Sequence, residues 1–329
     1  MIITGKYPNL RMRRSRRTDW SRRLVQENNL SYNDLILPIF ITDGSNKKIS
    51  IKTMPGVYRY SIDRLGHIVD KSLKKKIPMI AIFPQTNSKL KNTTGSEALN
   101  ENNLVCRAIK YIKKKYKNEI GIMCDVALDP YTSHGHDGLL KNKKILNDET
   151  VDILVQQSIL QASMGCDVIA PSDMMDGRIG KIRNELDKNN LKDVQIISYA
   201  VKYASSYYGP FRDAVGSKGA LKGDKKTYQM DFKNSDEALR EVALDIKEGA
   251  DMVMVKPGMP YLDVIKNVKD KFKIPVIAYQ VSGEYSLIKN AISKKIIDKK
   301  SIYETLMSFK RAGASAIVSY FADQIDLDF

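Results

Sequence analysis

Eight short apolar runs recur along the chain, at 35–41 (LILPIFI), 78–84 (PMIAIFP), 120–128 (IGIMCDVAL), 166–172 (CDVIAPS), 194–202 (VQIISYAVK), 251–257 (DMVMVKP), 274–282 (IPVIAYQVS) and 314–321 (ASAIVSYF). Apolar residues fill consecutive positions in them, the pattern of parallel strands covered on both faces. Stretches of helical periodicity lie between the runs, at 61–76, 97–116, 147–165, 177–189, 234–249, 260–272, 284–295 and 301–313. Their ends carry punctuation. Asn147 is expected to cap one helix, with Asp148 and Glu149 in its first turn and Gly165 at its end. Asn234 and Glu237 have capping-box spacing, and Gly249 closes that helix.

Strands alternating with helices in this way predict a (β/α)8 TIM barrel. An open doubly wound sheet would carry a glycine-rich loop after its first strand, and residues 37–50 (LPIFITDGSNKKIS) lack one. Residues 1–30 are polar, basic and without clear periodicity, and read as an N-terminal arm. Residues 31–329 read as one catalytic barrel. Two connections, 85–97 and 203–233, are long for a compact domain. The second follows the C-terminal end of a strand, so it is expected to be a lid over an active site.

The chain of 329 residues, 43% of them hydrophobic, is large enough for an extensive core. No run approaches the roughly 20 apolar residues of a membrane span, and the start MIITGKYPNLRMRRSRR has no apolar signal region. A cytoplasmic protein without membrane partners is expected. Cys106, Cys124 and Cys166 are scattered with no CxxC, which fits a reducing compartment. The formal charge of +16 resides mostly in lysines interleaved with apolar residues, as in KSLKKK and YIKKKYK. Solvated helix faces account for such tracts, and no nucleic-acid partner is expected. The run RMRRSRR (11–17) with SRR (21–23) is the exception and could bind an acidic surface.

In a barrel, chemistry collects at the C-terminal ends of the strands. Those ends carry Asp125, Asp129, Ser172, Asp173, Lys202, Lys256, Ser282 and Tyr320. A lysine at the apolar end of a strand loses hydration, and its amine becomes available to attack a carbonyl and form a Schiff base. Lys202 and Lys256 end adjacent predicted strands, so each should lower the pKa of the other. Pro257 and Gly258 then end the strand. In YTSHGHDG (131–138), His134 and His136 have the spacing of metal ligands on an extended loop. They could equally tie down a polar loop. Asp129 and Asp137 could hold a hard divalent ion. Glu241 and Asp245, four apart on a helix, could bind Mg²⁺ or face solvent.

The motifs RMRR, LILPIFI, CDVALDPYTSHGHDG, APSDMMDGR, SYAVKYASSYYGPFRDA, GDKKTYQMD, EGADMVMVKPGMPYLD, YQVSGEY and IVSYF, in this order, resemble the porphobilinogen synthases (5-aminolevulinate dehydratases) over nearly the whole chain. The resemblance implies a (β/α)8 barrel with an extended N-terminal arm, a homo-octamer of arm-hugging dimers, and the condensation of two 5-aminolevulinate molecules to porphobilinogen with loss of two waters. It assigns Lys256 to the Schiff base with the first substrate and Lys202 to the second. Ser282 and Tyr320 become ligands of the first carboxylate. Arg212, Lys225 and Gln229 become ligands of the second, and Asp125 and Ser172 lie around the second amine. Ala127, Asp129 and Asp137 stand where zinc-type members carry cysteines, so no zinc is expected. The resemblance is to the magnesium-responsive branch, with Glu241 as ligand of a stimulatory Mg²⁺. Lys225 replaces the arginine of many members, a point charge in place of a bidentate fork.

Two other readings compete. A class I aldolase on the same barrel needs one lysine and normally a phosphate-binding loop; the paired lysines and the carboxylate-binding set oppose it. A non-enzymatic RNA-binding protein would place basic and aromatic residues on an open face, whereas SYYGPFR falls at the expected barrel mouth.

Overall fold

The computed structural model describes residues 5–327 apart from 217, 218, 220 and 222. The first four residues of the expected arm, those four of the expected lid, and the last two residues of the expected barrel lie outside the described residues.

Eight parallel strands, among the described residues, form a closed barrel: β1 (Leu35–Thr42), β2 (Met79–Gln85), β3 (Gly121–Val126), β4 (Val168–Pro171), β5 (Gln195–Lys202), β6 (Met252–Lys256), β7 (Val276–Gln280) and β8 (Ala316–Ser319). Each pairs with the next in sequence, and β8 returns to β1 through Leu35↔Ile317 and Ile36↔Val318. Closure removes the sheet edges and leaves both faces of every strand buried. The helices are α1 (Leu65–Lys74), α2 (Leu104–Tyr116), α3 (Asn147–Ser163), α4 (Arg178–Lys188), α5 (Asp236–Glu248), α6 (Leu262–Phe272), α7 (Ser282–Ser293) and α8 (Ser301–Ala312). Each barrel strand and each of these helices falls within or beside a stretch the periodicity marked.

Two punctuation signals act differently from expectation. Leu146, in extended conformation, holds the cap position of α3. Asn147 instead accepts from the Asp176 amide at 2.8 Å and donates to its carbonyl at 3.2 Å, tying the helix start to the loop after β4. Ser235 precedes α5. Asn234, one position earlier, donates to the Glu237 carboxylate at 2.8 Å and makes no capping box.

Two small β units lie outside the expected set. Lys48–Ser50 and Tyr58–Tyr60 pair antiparallel, and the second continues onto β1 through Phe40↔Arg59. Leu139–Lys141 and Lys144–Leu146 form a separate hairpin. They are three residues long, too short to show a period.

The arm contains a short helix, Asp19–Leu24, and leaves Tyr7, Met12, Trp20, Leu24 and Val25 exposed. Trp20 is the chain's one tryptophan and is 63% exposed. Among the described residues, no helix is long and apolar enough to cross a membrane.

Candidate active site

The strands run toward a cavity lined by Phe83, Asp125, Asp129, Asp137, Ser172 and Lys202 from the barrel side, with Lys256 completing its floor. Tyr208, Phe211, Arg212, Leu221, Lys225 and Gln229 cover it from the segment between β5 and α5. The two lysines are direct Cα partners across β5 and β6. A register shift precedes them: β6 advances from Val253 to Val255 while β5 advances from Ser198 to Val201. That extra residue in β5 lets Tyr199 and Lys202 share the inner face, against simple alternation. Both amines approach the Tyr199 ring, Lys256 Nζ at 5.1 Å and Lys202 Nζ at 5.9 Å from its centroid.

The two amines have different surroundings. Lys256 Nζ sits among rings, 4.5 Å from the centroid of Tyr279, 5.3 Å from Phe211 and 5.4 Å from Tyr208. Burial pushes its ammonium down to about 7, and the charge of Lys202 pushes in the same direction against Asp125, Asp129 and Asp137. Lys202 faces oxygens: its Nζ donates to the Ser172 carbonyl and lies 3.8 Å from an Asp137 oxygen. The Lys256 amine is therefore poised to be neutral, while Lys202 is held by oxygens.

The carboxylates around Lys202 divide in the same way. Asp137 is 1% exposed, and its Oδ1 accepts from Lys225 Nζ at 2.9 Å. Burial opposes its ionisation, but Lys202 and Lys225 together outweigh burial and hold it well below the usual carboxylate range. Asp129 lies 3.6 Å from Lys225 Nζ and is raised by burial to about 6. Lys225 itself is held charged, since the two aspartates overcome its desolvation. Asp125 is raised, chiefly by burial, and its Oδ1 is buried without a hydrogen-bond partner.

The cavity brings together Lys256, Lys202, Asp125, Ser172, Arg212, Lys225, Gln229, Asp129 and Asp137. Ser282 and Tyr320 stand behind that wall. The Ser282 hydroxyl accepts from the Phe211 amide at 2.9 Å, and the Tyr320 hydroxyl lies 3.2 Å from that of Tyr279. Glu241 on α5 faces a separate groove with Asn147, Asp176 and Glu237. Burial raises its carboxyl, and Asp245, Asp176 and Glu237 add to the rise. His134 and His136 tie loops together: His134 Nε2 lies 3.2 Å from the Thr93 carbonyl, and His136 Nδ1 lies 3.1 Å from the Tyr228 hydroxyl. Among the described residues, no three His, Cys, Asp or Glu side chains converge to hold a metal ion.

The described part of 203–233 is folded onto the barrel. The Tyr203 amide donates to the Lys256 carbonyl at 3.0 Å and the Met230 amide to the Lys202 carbonyl at 3.0 Å. A short helix, Gly209–Ala214, carries Arg212. Its last carbonyls accept from Arg59, Nη2 to Asp213 and Nε to Ala214, each at 2.6 Å. Sequence reasoning missed Arg59, which lies about 150 residues away and belongs to no motif. It also missed Arg178, 2% exposed, whose guanidinium lies 3.6 Å from Asp173 and 3.5 Å from Asp245. Arg178 Nη1 also donates to the Met175 carbonyl at 3.2 Å, fixing the turn that follows Ser172, where Met174 is left-handed at φ 68°. The aromatic box was legible in principle, since Tyr199 and Tyr279 interrupt otherwise aliphatic strands.

The sequence profile of the delta-aminolevulinic acid dehydratase family matches residues 9–327. A delta-aminolevulinic acid dehydratase of Bradyrhizobium diazoefficiens is 58% identical over 314 residues, covering 95% of this chain and 89% of that protein. One of Methanothermus sociabilis is 51% identical, covering 97% of this chain and 98% of that protein. The crystal structure of the Toxoplasma gondii enzyme in complex with the reaction product porphobilinogen superposes with a TM-score of 0.93 at 45% identity, covering 96% of this chain and 90% of that one.

The environment of Lys256 makes a pH prediction. Borohydride trapping of a ketone at Lys256 should rise with pH, inflect at about 7 and flatten above it, because only the neutral amine attacks. Lys202→Met removes a neighbouring positive charge, so the inflection should move upward, as read by peptide mapping of the trapped adduct across pH.

Proposed function

We infer that this chain, a member of the delta-aminolevulinic acid dehydratase family and an enzyme of tetrapyrrole biosynthesis that joins two molecules of 5-aminolevulinate into porphobilinogen with release of two waters, works through its paired lysines. We propose that Lys256 opens the reaction as nucleophile and that Lys202 engages the second substrate. The observation that carries this reading is the pairing of the two lysines across β5 and β6, one amine among rings and the other among oxygens.

The neutral Lys256 amine attacks the ketone of the first substrate. Loss of water from the carbinolamine leaves the imine, with Tyr199, Phe211 and Tyr279 excluding bulk water that would reverse the step. Ser282 and Tyr320 receive the carboxylate of this substrate. Lys202 passes its proton to the adjacent carboxylate bank before forming its own imine. Asp125, raised by burial and unpartnered at Oδ1, is a stronger base than Asp137, which its lysines hold ionised, and takes that proton, with Ser172 beside the second amine. Arg212, Lys225 and Gln229 bind the second carboxylate. Lys225 has three protons and uses them on Asp137 and Asp129 here, so substrate must share that ammonium with the aspartates.

The same reading divides the chain into an arm (1–30), a catalytic barrel (31–329) and a lid (203–233). The apolar side chains exposed on the arm support self-association through it, with an octamer as the assembly and the cytoplasm as its location. A stimulatory Mg²⁺ fits the groove of Glu241, where neighbouring carboxyls make a second negative charge costly and a cation favourable. Since no three acidic side chains converge there, Glu241 would hold the ion largely through its waters, the usual habit of Mg²⁺. The bound ion supplies positive charge. Asp129 and Asp137 are instead occupied with Lys225.

The assignment is tested by incubating the protein with 5-aminolevulinate and borohydride, then mapping the reduced adduct. Label at Lys256, and loss of porphobilinogen formation in Lys256→Met, are expected; label confined to surface lysines would refute it. Arg212→Ala should raise the substrate concentration for half-maximal rate by roughly ten- to a hundredfold, the loss of one charge-assisted contact worth about 1.5–3 kcal/mol. Unchanged kinetics would take Arg212 out of the site. After EDTA treatment, added Mg²⁺ should raise the rate and Glu241→Ala should blunt that response, whereas restoration by Zn²⁺ alone would reverse the metal assignment.

A further inference from the structure

Glu284 lies in the first turn of α7 and is 1% exposed. Such a carboxyl normally serves its own helix, and one oxygen does so: Oε2 accepts from the Val281 amide at 2.5 Å. The other oxygen leaves the helix. Oε1 accepts at 2.6 Å from the amide of Met259, which belongs to the turn directly after β6. The nearby Gly258 amide also favours the charged form of this carboxyl. One buried carboxyl group therefore joins two chain segments that no strand pairing connects at this level: Lys256-Pro257-Gly258-Met259 and Val281-Ser282.

The joined segments bear the groups that the proposed function assigns to opposite ends of one substrate. Lys256 attacks its ketone, and Ser282, next to Val281, receives its carboxylate. The space between them is crowded. A side chain on Gly258 would meet Phe309 Cε1 at 2.6 Å, and one on Gly283 would collide with the backbone of Tyr207. The second contact seats the start of the lid on the same helix end. Burial pushes the Glu284 carboxyl up to about 8 against the backbone amides that stabilise its charge. A group under such desolvation at this junction does more than a solvent-exposed helix cap would need.

We infer that Glu284 is a positioning residue that fixes the distance between the Lys256 amine and the carboxylate anchor at Ser282, selecting 4-oxo acids over ketones without a carboxylate. The inference rests on the assignment of Lys256 and Ser282 above. It concerns imine formation at the first substrate and does not involve the second.

Borohydride trapping at Lys256, with levulinate and 2-butanone as separate probes, tests it in the full-length protein. Wild type should be labelled far more efficiently by levulinate. Glu284→Gln, which keeps the volume but faces a backbone donor with an amide NH₂, should lose about ten- to a hundredfold of that preference, the factor expected when one buried backbone donor is left without an acceptor. Labelling by 2-butanone should change little. Glu284→Asp is the second variant: it keeps a carboxylate that caps Val281 but is one methylene too short to span to Met259. It should stay folded, with a modest loss of thermal stability from the broken Met259 bond, and still lose the preference. Equal losses for both ketones, or a wild-type preference in Glu284→Asp, would overturn the inference and leave a helix cap. Absence of label at Lys256 in the wild-type protein would instead remove the imine assignment, and the inference with it.

Discussion

A second lysine at the paired position of the adjacent strand, roughly 5 Å away in the hydrogen-bonding direction and beside an aromatic floor, makes positive charge on Lys256 costly. The rest of the site follows from that constraint. The protein resolves it by dividing the environment. Rings from β5, β7 and the lid surround Lys256, and the Ser172 carbonyl and Asp137 surround Lys202. The difference is sustained because the parallel sheet holds both backbones rigidly, and the register shift in β5 turns Lys202 inward over Tyr199.

The carboxylate bank needs its own counterweight. Asp125, Asp129 and Asp137 are three acidic groups in one buried wall, and Lys202 alone would not compensate them. Lys225, from the segment between β5 and α5, supplies the second cation and is itself held charged by the aspartates. That segment and the barrel thus share a charge balance as well as a surface. A longer arginine fork at 225 would meet two carboxylates already spaced for a point charge. Lysine and aspartate at these positions are therefore best understood together.

How much of this was legible in the chain depended on the range of the interaction. The strands were legible because each satisfies its own pattern, eight continuous apolar runs that the barrel buries on both faces. Lys202 and Lys256 were legible because a charge at the end of such a run is locally anomalous. Asn147 was misjudged because the geometry that decides its role, a hydrogen-bonded pair with Asp176, comes from the loop after β4. Arg59 gave no signal, since an arginine looks the same in sequence whether it faces water or two carbonyls, and Arg178 stood in the motif APSDMMDGR without any sign of the buried carboxylates it meets. The roles assigned to Ser282, Tyr320 and Glu241 came from the resemblance alone; geometry adds their neighbours, Phe211, Tyr279 and the acidic groove.

The placement of Trp20 has an optical consequence. The barrel's aromatic floor is built from tyrosine and phenylalanine, and the single indole stands on the arm, well exposed. Light absorbed at the red edge of the protein band therefore excites the arm selectively. The colour of that emission reports whether the indole meets water or another surface, and the lysine site has no indole of its own. Changes around residue 20 are thus spectrally separable from changes at the lysines in one cuvette, without any introduced label.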